Sequence, residues 1–229
     1  DLFGKIRLFC LKRQGKSAIE NQSNLLRTIR IPTRCSYRIK GSRFLGSLFP
    51  LQEAGEMELH LSEAKSEHPT ATHHCYAWRV NPAQPEEYAS DAGEPGGTAG
   101  LPILNQLRSA ELINVGCIVV RYYGGTKLGK AGLIESYGHT AGLCIEQARL
   151  HRLTPTRLFR IEYPYELQSQ VERWKNTYNL TEKESEYGVK VRLTLACPLP
   201  LSDAFAGELD SSRHLLESIE TLGNSWETE

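Results

Sequence analysis

Residues 115–134, VGCIVVRYYGGTKLGKAGLI, decide the fold. VGCIVVRYY (115–123) is a nearly continuous apolar, β-branched run, the pattern of a strand covered on both faces. Two glycines then turn the chain, and a helix begins near Gly129. Its apolar side carries Leu133, Ile134, Tyr137, Ala141, Cys144, Ile145 and Ala148, and it runs to about 149. A strand, a glycine turn and a helix of this kind define an α/β layer, and the rest of the chain is read around it.

Upstream, 35–49 reads as an extended segment or hairpin broken at Gly41-Ser42 and Gly46. Ala54, Met57, Leu61 and Ala64 fall on one helix face, which His68-Pro69 ends. HHCYAWRV (73–80) alternates as a strand, 81–98 is expected to be a long loop, and 101–113 a short helix with Pro102 in its first turn. Thr154-Pro155 marks a restart. A strand over 157–165 precedes a helix face of Leu167, Val171, Trp174 and Tyr178. Strands over 180–188 and 189–198 and a helix over 201–219 follow, with a short tail. That βαββα order is most of a split βαβ, ferredoxin-like unit. The expected organisation is α+β: an extension over 1–30, possibly disordered, a domain over 31–153 and a second over 156–229.

At 229 residues and 25.7 kDa the chain can bury a core without staples. No stretch approaches the ~20 apolar residues of a membrane span. Lys plus Arg equals Asp plus Glu at 27 each, so the whole chain is no electrostatic glove for nucleic acid. The zero balance hides an asymmetry: residues 1–30 carry seven basic and two acidic groups, 31–155 twelve of each, and 156–229 eight and thirteen. Any polyphosphate contact is therefore expected from the middle segment or the N-terminal arm. Phe3, Ile6, Phe9 and Leu11 alternate with Lys5, Arg7, Lys12, Arg13 and Lys16, without the apolar core of a secretory signal. Six cysteines, at 10, 35, 75, 117, 144 and 197, never form CxxC and read as free thiols of a cytoplasmic protein.

The turn carries the best chemical signal. Backbone N–H groups of Gly124 and Gly125, the helix end at Gly129, Arg121 and Lys127 suit a phosphate or carboxylate. The competing reading is that these glycines only let strand and helix pack closely. Of Tyr122 and Tyr123, strand alternation turns one inward and leaves the other to stack on a base. Gly124, Gly129 and Lys130 match a P-loop until Ala131, which has no hydroxyl for magnesium. In SDAGEPGGTAG (90–100), Asp91 and Glu94 sit close, and Thr98 can cap the helix that follows. His73 and Cys75 share a strand face while His74 points away, so no metal triad converges there. No metal or cofactor is expected, and no catalytic set is fixed.

Together IKGSRFLG (39–46), HPTATHHCYAWRV (68–80), SDAGEPGGTAGLPIL (90–104) and VVRYYGGTKLGKAGLIESYG (119–138) resemble the IMPACT/YigZ family. The likeness covers about 34–150, and 156–229 looks like the acidic ferredoxin-like domain of bacterial YigZ-type members. It implies a first domain similar to the βα fold of ribosomal proteins and of elongation factor G domain IV, and a second similar to that factor's domain V. Eukaryotic relatives are linked to translational control under amino-acid starvation, by competing for the ribosome-associated activator of a starvation kinase. The family pattern is matched at His68, His73, Cys75, Asp91, Glu94, Thr98, Arg121, Tyr122, Gly124, Gly125, Lys127 and Gly129, among others. Ala92, Gly96, Leu101 and His74 depart from it. The expectation is a non-enzymatic, translation-associated binder of RNA or the ribosome. A protein-docking module in starvation control is one alternative. The other is an enzyme on a small phosphorylated metabolite, with His73 as base.

Overall fold

The computed structural model describes residues 26–228, which form two compact units divided between Arg152 and Leu153. The basic N-terminal pattern over 1–25 and Cys10 lie outside the described residues. The last residues of the expected extension are folded: β1 (Arg27–Ile29) pairs with the first residues of β7 (Leu150–Tyr163), and Ile29 is buried.

In the first unit, β2 (Thr33–Ile39) and β3 (Ser42–Pro50) form a hairpin whose turn residues, Lys40 and Gly41, have φ of 45° and 80°. Such a turn follows the strand twist, and a glycine occupies its second position without strain. β4 (His73–Val80) and β6 (Val115–Tyr122) match the expected strands closely. The expected loop over 81–98 contains a further strand, β5 (Glu86–Ser90), hydrogen-bonded to β4 at the sheet edge. The order is β2-β3-β6-β4-β5, with every pair antiparallel.

Helix α1 (Met57–Glu67) covers one face, where Phe49, Leu51, Met57, Ile118 and Val120 form a core. Helices α2 (Gly100–Ser109) and α3 (Gly129–Gln147) cover the other, over Phe44, Leu48, Cys75, Cys117 and Val119. β6 is central and buried on both sides until Tyr122, as its unbroken apolar run requires. Gly46 is no strand break: it lies within β3, opposite Cys35.

In the second unit, β7 is followed by α4 (Gln168–Thr177), β8 (Thr181–Tyr187), β9 (Val191–Pro198) and α5 (Leu199–Ser211). The expected tail is instead a long strand, β10 (Ser218–Thr228), antiparallel to β7. It completes a βαββαβ chain with strand order β10-β7-β9-β8, the split βαβ arrangement. Phe205 of α5 is fully buried and packs edge-on against Phe159 and Trp174, binding both helices to the sheet.

Truncating that ring leaves a cavity at the centre of the second core. Phe205→Ala is expected to destabilise this unit by about 3–5 kcal/mol. Urea unfolding followed by Trp fluorescence measures the shift.

Candidate functional site

β3, β6 and β4 lie side by side, so Phe44, Arg121 and His73 stand opposite one another at the end of the sheet. All three face α2 and α3. The loop from β5 to α2 folds over them. Its shape depends on Ala92 and Gly93, at φ 43° and 90°, and on Gly97, at 75°. A side chain at Gly93 would crowd the His73 ring.

This loop is tied down by Asp91, whose carboxylate accepts N–H bonds from Gly97 (2.7 Å), Ala99 (2.9 Å) and Gly100 (2.9 Å). Asp91 therefore caps α2 from eight residues upstream. Thr98, the expected cap, is buried and donates its hydroxyl to the Pro95 carbonyl at 2.6 Å. Burial alone would raise the Asp91 pKa, but the three donors outweigh it and hold the group below its ordinary value.

Glu94 is carried under the sheet end, where its side chain is almost wholly buried. One oxygen, Oε1, accepts from Arg121 Nη1 at 2.5 Å and from the Tyr137 hydroxyl at 2.8 Å. Burial pushes the Tyr137 pKa up, so it acts as a donor. His73 donates from Nδ1 to the Ala92 carbonyl at 2.9 Å, since a carbonyl oxygen can only accept. Its Nε2 lies 3.9 Å from the same Glu94 oxygen. Cys75 donates to the Asp91 carbonyl at 3.0 Å, and burial pushes its thiol up to about 12.

This arrangement engages two members of the expected anion cradle, Arg121 and the Gly124 N–H, elsewhere. Arg121 is only 5% exposed, its charge is paired with Glu94, and its guanidinium lies between the rings of Phe44 and Tyr123. It cannot reach a phosphate outside without breaking that pair. The Gly124 N–H is also engaged, by Ser42 Oγ at 3.2 Å, and the Tyr123 N–H by Thr72 Oγ1 at 3.2 Å. Gly124 touches the hairpin turn so closely that a Cβ there would lie 1.9 Å from the Gly41 carbonyl carbon. The glycines differ in role: Gly124 is needed for close packing, against the hairpin turn rather than between strand and helix, while Gly125 (φ 84°) and Gly129 (φ 72°) shape the exposed turn.

The exposed part is built otherwise. Tyr123 is 46% exposed, with its hydroxyl held by the Gly125 carbonyl at 2.7 Å. Tyr122 turns to the α1 face, beneath the Arg43 guanidinium and against His68. Lys127 and Lys130 are exposed beside the start of α3, which lacks a side-chain cap from Leu128.

The Gly41–Gly124 contact brings in three cations that motif reading passed over: Arg38, Lys40 and Arg43 of the hairpin. Arg38 and Arg43 are cross-strand partners, two like charges facing each other. The hairpin turn was legible, but its neighbour Gly124, 83 residues further along the chain, was not. Tyr137 was legible only as a residue of the helix core. Among the described residues no cluster of three metal-type ligands occurs.

Two outcomes follow from the buried network. Glu94→Gln leaves Arg121 buried without its counter-charge and is expected to cost about 3–5 kcal/mol in urea unfolding, much of it recovered in the Glu94→Gln/Arg121→Met double variant. The folded-state pKa of Asp91 lies below its unfolded value. Its contribution to stability is therefore complete above about pH 4 and fades as pH falls through the lower, folded value. The acid-side loss of unfolding midpoint should shrink in Asp91→Ala, whose stability at neutral pH is already lower.

Both halves of the chain are similar to known proteins. Residues 40–145 match the Impact N-terminal domain and 161–211 a domain of unknown function, DUF1949. The chain is 32% identical over 191 residues to "IMPACT family member YigZ" of Escherichia coli, covering 82% of this chain and 94% of that protein. It is 30% identical over 189 residues to an "IMPACT family member" of Haemophilus influenzae, covering 80% and 91%. A solved structure titled "Crystal structure of an hypothetical protein" superposes with a TM-score of 0.60 at 31% identity, over 86% of this chain and 96% of that one. On the two domains and on the length and level of these identities, the chain belongs to the IMPACT family.

Proposed function

We propose that this protein is a translation-associated regulatory protein that binds RNA, free or in the ribosome, through the end of its first sheet. The observation that carries this reading is an inequality in how cations are paired. In the second unit Arg157, Arg160, Lys175, Lys183, Lys190, Arg192 and Arg213 each face a carboxylate within 4 Å. At the first sheet's end, Arg38, Lys40, Arg43, Lys127 and Lys130 belong to no ion pair among the described residues. Segments 36–44 and 121–134, which the Gly41–Gly124 contact joins, contain six basic residues and no acid.

Unneutralised cations converging at one edge favour a polyanion, and the repulsion between Arg38 and Arg43 is relieved when a phosphate sits between them. Tyr123 adds an exposed ring, held in orientation by Arg121 and by its own hydroxyl bond, for a base to stack on. The buried Glu94–Arg121 pair keeps both glycine-rich loops in place, so the surface is formed before the ligand arrives. On this reading the two units are counterparts of elongation factor G domains IV and V, and the protein works in the cytoplasm.

The test is binding of a single-stranded RNA and of ribosomes across a salt series. Log affinity should fall with log salt, and Lys40→Ala and Lys127→Ala should each reduce the slope by about 0.7. Tyr123→Ala should weaken binding by ~1–3 kcal/mol and leave the slope unchanged. Absent or salt-insensitive binding, or a ribosome contact that survives nuclease treatment, would replace this reading with a protein-docking role.

A further inference from the structure

β2 is an edge strand, and its third residue, Cys35, is half-buried on the face that α3 covers. Its cross-strand partner is Gly46. A Cβ at 46 would lie 2.6 Å from the sulfur of Cys144 and 2.7 Å from that of Cys35. Glycine therefore leaves a space that two thiols, one from the strand and one from the helix, fill together. The two sulfurs border the same space, and the Cys35 thiol donates to the Thr140 carbonyl at 3.1 Å.

The two thiols are not equivalent. Hydrogen bonding, first of all from the Cys144 thiol, outweighs burial and holds the Cys35 pKa below the ordinary thiol value. Cys144 is pushed up by its bond to Cys35 and by burial. One sulfur thus lies half-buried on an edge strand, and the other is a fully buried thiol beside it. This is the layout of an attacking and a resolving cysteine.

We infer that Cys35 and Cys144 are a reversible oxidation site, in which a hydroperoxide converts the contacting thiols into a disulfide between the edge strand β2 and helix α3. The Cys35 thiolate attacks a peroxide oxygen and the O–O bond breaks. The alkoxide or hydroxide that leaves takes a proton from solvent, and Cys35 becomes a sulfenic acid. The Cys144 sulfur then attacks the Cys35 sulfur, the S–O bond breaks, and water departs with the Cys144 proton. Two electrons pass from the thiol pair to the peroxide, and a dithiol reductant reverses the change by exchange. Cys75, whose thiol is held by the Asp91 carbonyl, serves as an internal reference.

The experiment is peptide mapping of the full chain after treatment with hydrogen peroxide at a low molar ratio and alkylation of the remaining thiols. Trypsin places Cys35 on 35–38, Cys144 on 131–149, Cys117 on 109–121 and Cys10 on a peptide of its own, so each linkage is distinguishable. The expected product is peptide 35–38 joined to 131–149, two hydrogens lighter than the reduced pair and lost on dithiothreitol treatment. In untreated wild-type protein, Cys35 should alkylate at least about tenfold faster than Cys75. In Cys144→Ser, Cys35 should stop at a sulfenic acid that dimedone traps. A map in which Cys35 stays reduced, or joins Cys117 or a second chain instead of Cys144, overturns the inference without requiring any variant to fold.

Discussion

The bond between Arg121 and Glu94 is the constraint from which the rest of the site follows. Both groups are buried, and a charge in that position is tolerated only when its partner and further hydrogen bonds satisfy it. Arg121 is fixed by its place in the central strand. Glu94 is brought to it by a loop that starts on the far edge of the sheet, and Tyr137 reaches the same oxygen from α3. One carboxylate thus joins a strand, a loop and a helix. Breaking any one of these contacts leaves a buried charge or hydroxyl without its partner, which is why the two glycine-rich loops hold a single arrangement.

The same bond decides what the surface can do. An arginine beside a glycine turn ordinarily suggests phosphate, yet here a phosphate would have to displace a carboxylate already in place at 2.5 Å. On the proposed reading, anion binding falls to the groups outside: two lysines beside the start of α3 and the cations of the β2–β3 hairpin. Arg121 acts on that surface indirectly, by presenting its guanidinium to the ring of Tyr123. The overall balance of 27 and 27 is uninformative because the acidic second unit pairs its cations internally and the end of the first sheet does not.

How much of this was legible depends on how local each signal is. β4, β6 and α3 were readable because period and β-branching are written into contiguous residues; alternation also requires one of Tyr122 and Tyr123 to turn inward, but not which. β5 and β10 were not. Glu86–Ser90 sits among prolines, acids and glycines, and Ser218–Thr228 is mostly polar and exposed, so both are strands chiefly because β4 and β7 offer an edge to pair with. The cap of α2 was misread for the same reason. Thr98 stands where a cap is expected locally, but Asp91, further back in a folded loop, reaches the amides first. Nothing near residue 121 in sequence tells that Glu94 lies beneath it.

The motif SDAGEPGGTAG illustrates how a segment dense in chemically suggestive residues can be devoted to position. Asp91 binds three amides, and Ala92, Gly93 and Gly97 supply the left-handed turns. Thr98 closes on Pro95, and Gly100 passes so near the Ser90 backbone that a Cβ would lie 2.6 Å from its nitrogen. The result of all these contacts is a single carboxylate placed under the end of a sheet. Ala92 holds a left-handed φ without being glycine, a strain the loop sustains because the Ala92 carbonyl is fixed by His73 and its N–H by Ser90 Oγ. The two carboxylates of this loop are engaged in this way, Asp91 by three amides and Glu94 by Arg121 and Tyr137. The loop thereby holds the neighbouring surface in place, and on the proposed reading the ligand meets the hairpin and the start of α3, whose lysines have no carboxylate partner among the described residues.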